Sequence, residues 1–190
     1  MQAAYAPLRG VVSIPGDKSI SHRAALFVLL ADGPCRATGW LESQDTLCSL
    51  EAVKALGAKV FLENGTICLN PPDPSEHLSA SLTIDCGNSG TTTRLLCGLL
   101  AGWLPVGGKP VVLTGDASLS SRPMDRVVDP LRTMGADIRY LKKDGRLPLS
   151  VSGANLQGAT CSLKVPSAQV KSALLLAAVG ARGKTVIQGA

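Results

Sequence analysis

Two cations and a hydroxyl stand at the entrance to an apolar run in Gly16-Asp17-Lys18-Ser19-Ile20-Ser21-His22-Arg23, which leads directly into residues 24–31. The order predicts a glycine turn and then a helix, with Ser19 as its N-cap. The free N–H groups of a first turn point outward, the helix dipole adds partial positive charge, and Lys18 and Arg23 add two full charges. Such an end is built to hold a phosphate or a carboxylate. Comparable residues open two further apolar stretches: Asn88, Ser89, Gly90, Thr91 and Arg94 at 91–101, and Ser167, Gln169 and Lys171 at 168–181. Asn88 and Ser167 are read as caps, which by themselves say little. Cations beside a helix start say more, because they oppose the dipole at a cost of roughly 0.3–1 kcal/mol unless an anion sits there.

Arg122, in Ser120-Ser121-Arg122-Pro123, adds a forked guanidinium suited to clamp a carboxylate or phosphate. His22 and His77 lack both metal-ligand spacing and a nucleophile partner and are assigned no catalytic role. Asp45 and Asp116 are read as loop or cap residues. Neither a Walker pattern nor a dinucleotide G-x-G-x-x-G occurs.

These residues need elements to carry them. Three stretches, 20–31, 91–101 and 168–181, are apolar nearly all round and predict buried helices. A strand is expected after each, near 36–40, 110–114 and 184–188. Amphipathic helices follow the first two: 44–56, with Leu47, Leu50 and Val53 on one face, and a second opened by Pro123, with Val127, Leu131 and Met134. Leu56-Gly57-Ala58 and Met134-Gly135-Ala136 echo each other 78 positions apart (135 minus 57), each a glycine C-cap before a strand. Hairpin signals come next, Glu63-Asn64-Gly65 and Lys143-Asp144-Gly145. The fold class is therefore α/β, in repeated helix-strand-helix-strand-strand units. After a leading segment 1–15, the units run over about 16–70 and 82–153, with a partial third over about 160–190. That third unit lacks its amphipathic helix and hairpin, so the chain is expected to be a fragment or one half of a larger α/β protein. Units related by rotation would bring the three polar helix starts to one place.

The balance of 19 Lys and Arg against 14 Asp and Glu leaves a net charge of +5, while aromatic residues are only 3%. Scattered cations with few stacking side chains point to small anionic ligands rather than nucleic acid. The longest apolar stretch, 95–106, is broken by Gly98, Gly102 and Pro105 and falls short of the ~20 residues of a bilayer helix, so no membrane span is expected. The first 15 residues show no signal-peptide pattern, and the six cysteines (Cys35, Cys48, Cys68, Cys86, Cys97, Cys161) show no C-x-x-C spacing. Reduced thiols, no metal and a cytoplasmic location are the expectation.

Four ordered motifs, Pro15-Gly16-Asp17-Lys18-Ser19-Ile20-Ser21-His22-Arg23, Gly87-Asn88-Ser89-Gly90-Thr91-Thr92-Thr93-Arg94-Leu95, Leu113-Thr114-Gly115-Asp116 with Arg122-Pro123-Met124, and Pro166-Ser167-Ala168-Gln169-Val170-Lys171-Ser172-Ala173, resemble the 5-enolpyruvylshikimate-3-phosphate synthase family. The resemblance implies an inside-out α/β barrel of two three-unit domains, the second absent here. It implies transfer of the enolpyruvyl group of phosphoenolpyruvate to the 5-hydroxyl of shikimate 3-phosphate, in aromatic amino acid biosynthesis, without cofactor. By motif match, Lys18, Ser19 and Arg23 contact shikimate 3-phosphate, with Lys18 catalytic and also reaching phosphoenolpyruvate. Gly90 and Arg122 line the phosphoenolpyruvate site. Ser167, Ala168 and Gln169 hold shikimate 3-phosphate, and Gln169 touches both substrates. Ala168 stands where many members have a second serine. The resemblance also implies a monomeric full-length enzyme whose proton-transfer residues lie in the later, C-terminal half, so this chain alone is expected to bind weakly and turn over nothing.

Two other readings compete. The sister family, UDP-N-acetylglucosamine enolpyruvyl transferase, carries an asparagine after the lysine and a reactive cysteine five residues before the arginine of the Arg-Pro motif; here those positions are Ser19 and Ala117. An inactive anion-binding or assembly module, docking a partner through its unfinished third unit, is the reading from another class.

Overall fold

Residues 9–73, 80–163 and 165–189 are described by the computed structural model. In chain order the elements are α1 (Lys18–Leu26), β1 (Cys35–Ala37), α2 (Gln44–Ala55), β2 (Lys59–Glu63), β3 (Thr66–Asn70), β4 (Leu82–Asp85), α3 (Gly90–Trp103), β5 (Val111–Thr114), α4 (Ala117–Ser120), α5 (Asp125–Thr133), β6 (Asp137–Tyr140), β7 (Leu149–Ser152), β8 (Thr160–Ser162), α6 (Ala168–Val179) and β9 (Val186–Gln188). A 3-10 turn, Phe27–Leu30, extends α1.

The repeat is present in the strand order. Of three sheets among the described residues, one runs β1-β3-β2, a second β4-β5-β7-β6 and the third pairs β8 with β9, so β5-β7-β6 repeats the arrangement of β1-β3-β2. Both amphipathic helices end in the same Schellman cap. Ala58 N donates to Val53 O and Gly57 N to Lys54 O, and Ala136 N to Leu131 O and Gly135 N to Arg132 O. Gly57 and Gly135 take φ of 97° and 92°, a region that residues with a Cβ avoid. The first hairpin turns on Asn64 and Gly65, both with positive φ, as a type I′ turn requires. The second is wider: residues 141–148 separate β6 from β7.

Two strands were not foreseen. β4 and β8 precede α3 and α6 and pair in parallel with β5 and β9, so each buried helix is the crossover of a strand-helix-strand unit. Their signal is slight, since β4 buries a single side chain, Ile84, and β8 a single one, Cys161. Pro123 lies outside the second amphipathic helix, whose N-cap is Met124. The predicted face holds, with Val127, Leu131 and Met134 fully buried.

The three apolar helices differ in burial. α3 buries ten of its 14 residues, including Leu95, Leu96, Leu99 and Leu100, each contributing on the order of 1.5–3 kcal/mol of transfer free energy. Burial of α1 and α6 is one-sided, with Ile20 69%, Phe27 45%, Leu175 51% and Val179 69% exposed. The expectation of three buried helices is thus corrected: α3 is buried over most of its surface, α1 and α6 on one side only. α3 and α6 approach closely because Gly98 faces the backbone of Ala173; a Cβ at Gly98 would lie 1.9 Å from the Ala173 carbonyl oxygen. None of the described helices is long and apolar enough to cross a membrane. All six cysteines are free thiols, four of them buried.

Candidate functional site

The start of α1 is capped by Asp17, whose Oδ1 accepts from Ile20 N at 2.7 Å. Ser19 therefore sits one residue inside the helix, exposed, and is not the cap. Asp17 reaches the same orphan donors with a carboxylate, which the positive helix end favours over a neutral hydroxyl. Gly16 serves contact rather than a turn: a Cβ there would lie 1.7 Å from the carbonyl oxygen of Gly39. Lys18 forms an ion pair with Asp45 in the first turn of α2. Arg23 is half-buried. Its guanidinium donates to Ser19 O at 3.0 Å and to Ser172 Oγ on α6 at 2.7 Å.

At α3 the cap is Ser89, whose hydroxyl accepts from Thr92 N at 3.2 Å, and Asn88 is left free for other work. Its Oδ1 accepts from Arg122, and its Nδ2 donates to Asp116 Oδ2 at 2.8 Å. Asp116 in turn caps α4 by accepting from Leu119 N at 2.7 Å. That backbone N–H, followed by the Asn88 amide, holds the Asp116 carboxyl below its usual range. Arg122 is thus aimed by an amide that a carboxylate aims.

Gly90 lies beneath two guanidiniums. A Cβ there would stand 2.6 Å from Arg94 Nη1 and 3.2 Å from Arg122 Nη1. Arg94 crosses to α6, donating from Nη1 to Gln169 Oε1 at 2.8 Å, and Gln169 Nε2 returns a hydrogen bond to Thr91 Oγ1 at 2.9 Å. Ser167 caps α6 as predicted, accepting from Val170 N at 3.4 Å, and Ala168 is exposed in its first turn.

Behind these helix starts runs a buried polar relay. His22 Nδ1 meets Ser49 Oγ at 2.8 Å, Ser49 meets Thr92 Oγ1 at 2.7 Å, and Thr92 meets Ser89 Oγ at 2.7 Å. The relay ties α1, α2 and α3 together at the N-cap of α3. His22 is 1% exposed and its Nε2 has no partner. The tautomer with hydrogen on Nδ1 leaves an acceptor lone pair unmet rather than an N–H, and it starts a one-way chain of donors toward Ser89. Burial lowers its pKa from the ordinary 6.5 to about 4, with Asp45 opposing the shift and Lys18 and Arg23 adding to it. The imidazole is neutral at pH 7.

Side-chain bridges join Arg23 on α1 to α6 and Arg94 on α3 to Gln169 on α6, while Arg122, held by Asn88, lies beside Gly90 at the start of α3. Lys18 stands at the start of α1, tied instead to α2. Of the four cations Lys18, Arg23, Arg94 and Arg122, Lys18 alone is paired with a carboxylate among the described residues. Burial first, then Arg122 and Arg126, pulls the Arg94 pKa down from its ordinary range. The arrangement holds like charges together and suits a ligand with several anionic groups. Among the described residues no group of three or more His, Cys, Asp or Glu side chains is placed to hold a metal; His77 lies outside them. Sequence reasoning named Thr91 and Arg94 as polar residues of a helix start and read Asp45 as a loop or cap residue, but it did not foresee that these three, with Ser172, fasten the helices together. Arg94 carried one usable signal, its position four residues after Gly90 on the same helix face.

The family model described as EPSP synthase (3-phosphoshikimate 1-carboxyvinyltransferase) matches residues 3–190. A 3-phosphoshikimate 1-carboxyvinyltransferase of Anaeromyxobacter dehalogenans is 49% identical over 185 residues, covering 95% of this chain and 40% of the relative. One from Thermus thermophilus is 47% identical over 192 residues, covering 98% of this chain and 43% of the relative. The solved structure of an EPSP synthase from Acinetobacter baumannii superimposes with a TM-score of 0.82 at 39% identity, over 94% of this chain and 40% of that one. The chain spans about two-fifths of the length of the relatives it matches.

Proposed function

Because the chain belongs to the EPSP synthase family, we propose that it supplies the N-terminal share of a site that moves the enolpyruvyl group of phosphoenolpyruvate to the 5-hydroxyl of shikimate 3-phosphate, releasing phosphate. One observation carries the reading. Three helix starts are fastened together by the Arg23–Ser172 and Arg94–Gln169 bridges, and the guanidiniums of Arg23, Arg94 and the neighbouring Arg122 face neutral oxygens. The two substrates bring two phosphates and two carboxylates to offset that charge.

In this reading Lys18, Ser19, Arg23, Ser167, Ala168 and Gln169 hold shikimate 3-phosphate, while Lys18, Gly90, Arg122 and Gln169 face phosphoenolpyruvate. As the 5-hydroxyl gives up its proton, its oxygen adds to C2 of phosphoenolpyruvate and C3 gains a proton, giving a tetrahedral intermediate. The C2–O bond to phosphate then breaks as C3 loses a proton, which restores the enol ether. Lys18, kept in place by Asp45, and Arg122, aimed by Asn88, stabilise charge that gathers on the departing phosphate. Gly90 leaves room for close approach beneath the two guanidiniums. The groups that move the proton are assigned to the part of the relatives' length beyond this chain.

The same reading places residues 1–15 as a leading segment and 16–190 as an incomplete domain of an inside-out α/β barrel, in a monomeric cytoplasmic enzyme. It favours the shikimate enzymes over the sister family, since the matching family model and Ser19 and Ala117 agree. Titration calorimetry with shikimate 3-phosphate tests it. Weak saturable binding that falls tenfold or more in Lys18→Ala is expected, from the loss of one charge-assisted contact worth about 1.5–3 kcal/mol; equal binding by the two proteins overturns the ligand assignment. Mixing with the remaining three-fifths of a relative should restore phosphate release. A stable complex without turnover would favour the assembly module.

A further inference from the structure

Gln169 has little freedom left. Its Oε1 accepts from Arg94 Nη1 at 2.8 Å and its Nε2 donates to Thr91 Oγ1 at 2.9 Å. A guanidinium has donors and no acceptor, so the amide oxygen must be the atom that faces Arg94; a flipped amide would set N–H groups against N–H groups. One Nε2 hydrogen is spent on Thr91. The group left over at the joined helix starts is the second Nε2–H, a donor.

Arg94 is itself held in place. Nη1 also reaches Gly90 O at 3.3 Å, and Nη2 lies 3.5 Å from Pro123 O. It is half-buried, sits near Arg122, and among the described residues has no carboxylate within ion-pair distance. Its charge therefore goes unmatched within the described structure, while its best-formed hydrogen bond is to Gln169. We propose that Arg94 is a positioning residue that locks the Gln169 amide with an N–H outward, so that this corner of the site takes an oxygen acceptor of an anionic or hydroxyl-bearing ligand. The ligand half of this statement rests on the shikimate 3-phosphate reading above; the positioning half does not.

The experiment separates the two halves. In the isotope-labelled chain, exchange of the Gln169 side-chain amide protons is followed by NMR. One proton is expected to exchange slowly in the wild type, and in Arg94→Met its protection should fall about tenfold, the worth of one hydrogen bond. The backbone amide of Leu99 in α3 serves as the unchanged reference, and Arg94→Lys, which keeps a donor, should recover most of the protection. Unaltered Gln169 protection in Arg94→Met overturns the positioning role, and so does a wild type with no protected amide proton. If Arg94→Met does not fold, Thr91→Val is expected to free the amide from its other side.

Calorimetry with shikimate 3-phosphate reads the ligand half. Gln169→Met, neutral and without a donor, and Gln169→Glu, which pairs with Arg94 but cannot donate, should each lose about tenfold in affinity, with the melting temperature of Gln169→Glu held or raised. Full affinity in either variant overturns the donor assignment. A wild type that does not bind refutes the shikimate 3-phosphate reading, and the amide exchange still decides Arg94.

Discussion

Helix α3 meets α6 backbone to backbone and meets α1 and α2 through hydroxyls and an imidazole. On the first side Gly98 lies against the Ala173 carbonyl, and Gly180 packs on the backbone of Gly102. On the second, the relay from His22 through Ser49 and Thr92 to Ser89 joins three helices without a charge. Both seams do the same job, holding the start of a helix beside the start of α3. Apart from the Arg94–Gln169–Thr91 bridge at its mouth, the first seam is fixed by the absence of volume and is indifferent to pH near neutrality. The other is fixed by directed hydrogen bonds, and its imidazole must stay neutral to remain where it is.

The largest effect is expected on the glycine side. Gly98→Ala places a methyl carbon 1.9 Å from a backbone oxygen, and no rotamer change relieves it. The helices must separate, at a cost of about 3 kcal/mol or more, and the Arg94–Gln169 bridge should be lost with them. Urea unfolding measures the cost. A Gly98→Ala protein of unchanged stability would mean that close approach does not set this seam.

The polar side should respond to acid. The folded state holds His22 at a pKa of about 4, whereas the unfolded chain titrates near 6.5. Below pH 6.5 the unfolded state gains a proton that the folded state refuses, so stability falls as pH drops from 6.5 toward 4 and the His22 contribution then levels off. Full development corresponds to about 3 kcal/mol. Thermal unfolding of wild type and His22→Asn across this window checks it, since the variant should lose most of the slope. Equal slopes would show that another group carries the acid sensitivity.

A middle-sized effect distinguishes the relay from simple packing. Thr92 is fully buried, and Thr92→Val keeps its shape while leaving Ser49 and Ser89 short of a partner. About 2 kcal/mol should be lost, with no counterpart on the α6 seam, where Ala173→Gly should cost less. If Thr92→Val is neutral, the relay contributes packing and nothing more.

The two seams were unequally legible in the sequence. Periodicity marked all three helices, and the paired Leu-Gly-Ala and Met-Gly-Ala endings disclosed the repeat because only glycine completes a Schellman cap without strain. The cations were visible as a cluster, since their cost at a helix start calls for an explanation. The fasteners were not. Nothing in the identity of Thr92 or Ser49 says that they meet across 43 residues of chain, and Arg94 looked like one more cation until Gln169 was seen to occupy it. β4 and β8 escaped because each buries a single side chain, too little for an alternating pattern to show. The one-sided burial of α1 and α6 was hidden for a related reason: an apolar sequence reports what a helix is able to bury, not which of its neighbours are there.

The smallest prediction concerns the tip of α1, where sequence and structure disagree on a single residue. Ser19 has the preferred composition for a cap, but the backbone turns helical at Lys18, so Asp17 takes the position and its carboxylate meets Ile20 N. Asp17→Ala should cost about 1 kcal/mol, and Ser19→Ala should leave stability within a few tenths of a kcal/mol, because no buried contact depends on its hydroxyl. The pair sharpens the contrast between the seams. If the relay alone positions α1, shikimate 3-phosphate binding should survive Asp17→Ala, the cation-bearing turn being anchored from beneath by His22. If the cap matters as much, the first turn frays, Lys18 separates from Asp45, and binding weakens with Asp17→Ala nearly as it does with Lys18→Ala. Stability by urea titration and affinity by calorimetry, measured on the same two variants, decide between a helix held at its tip and one held from below.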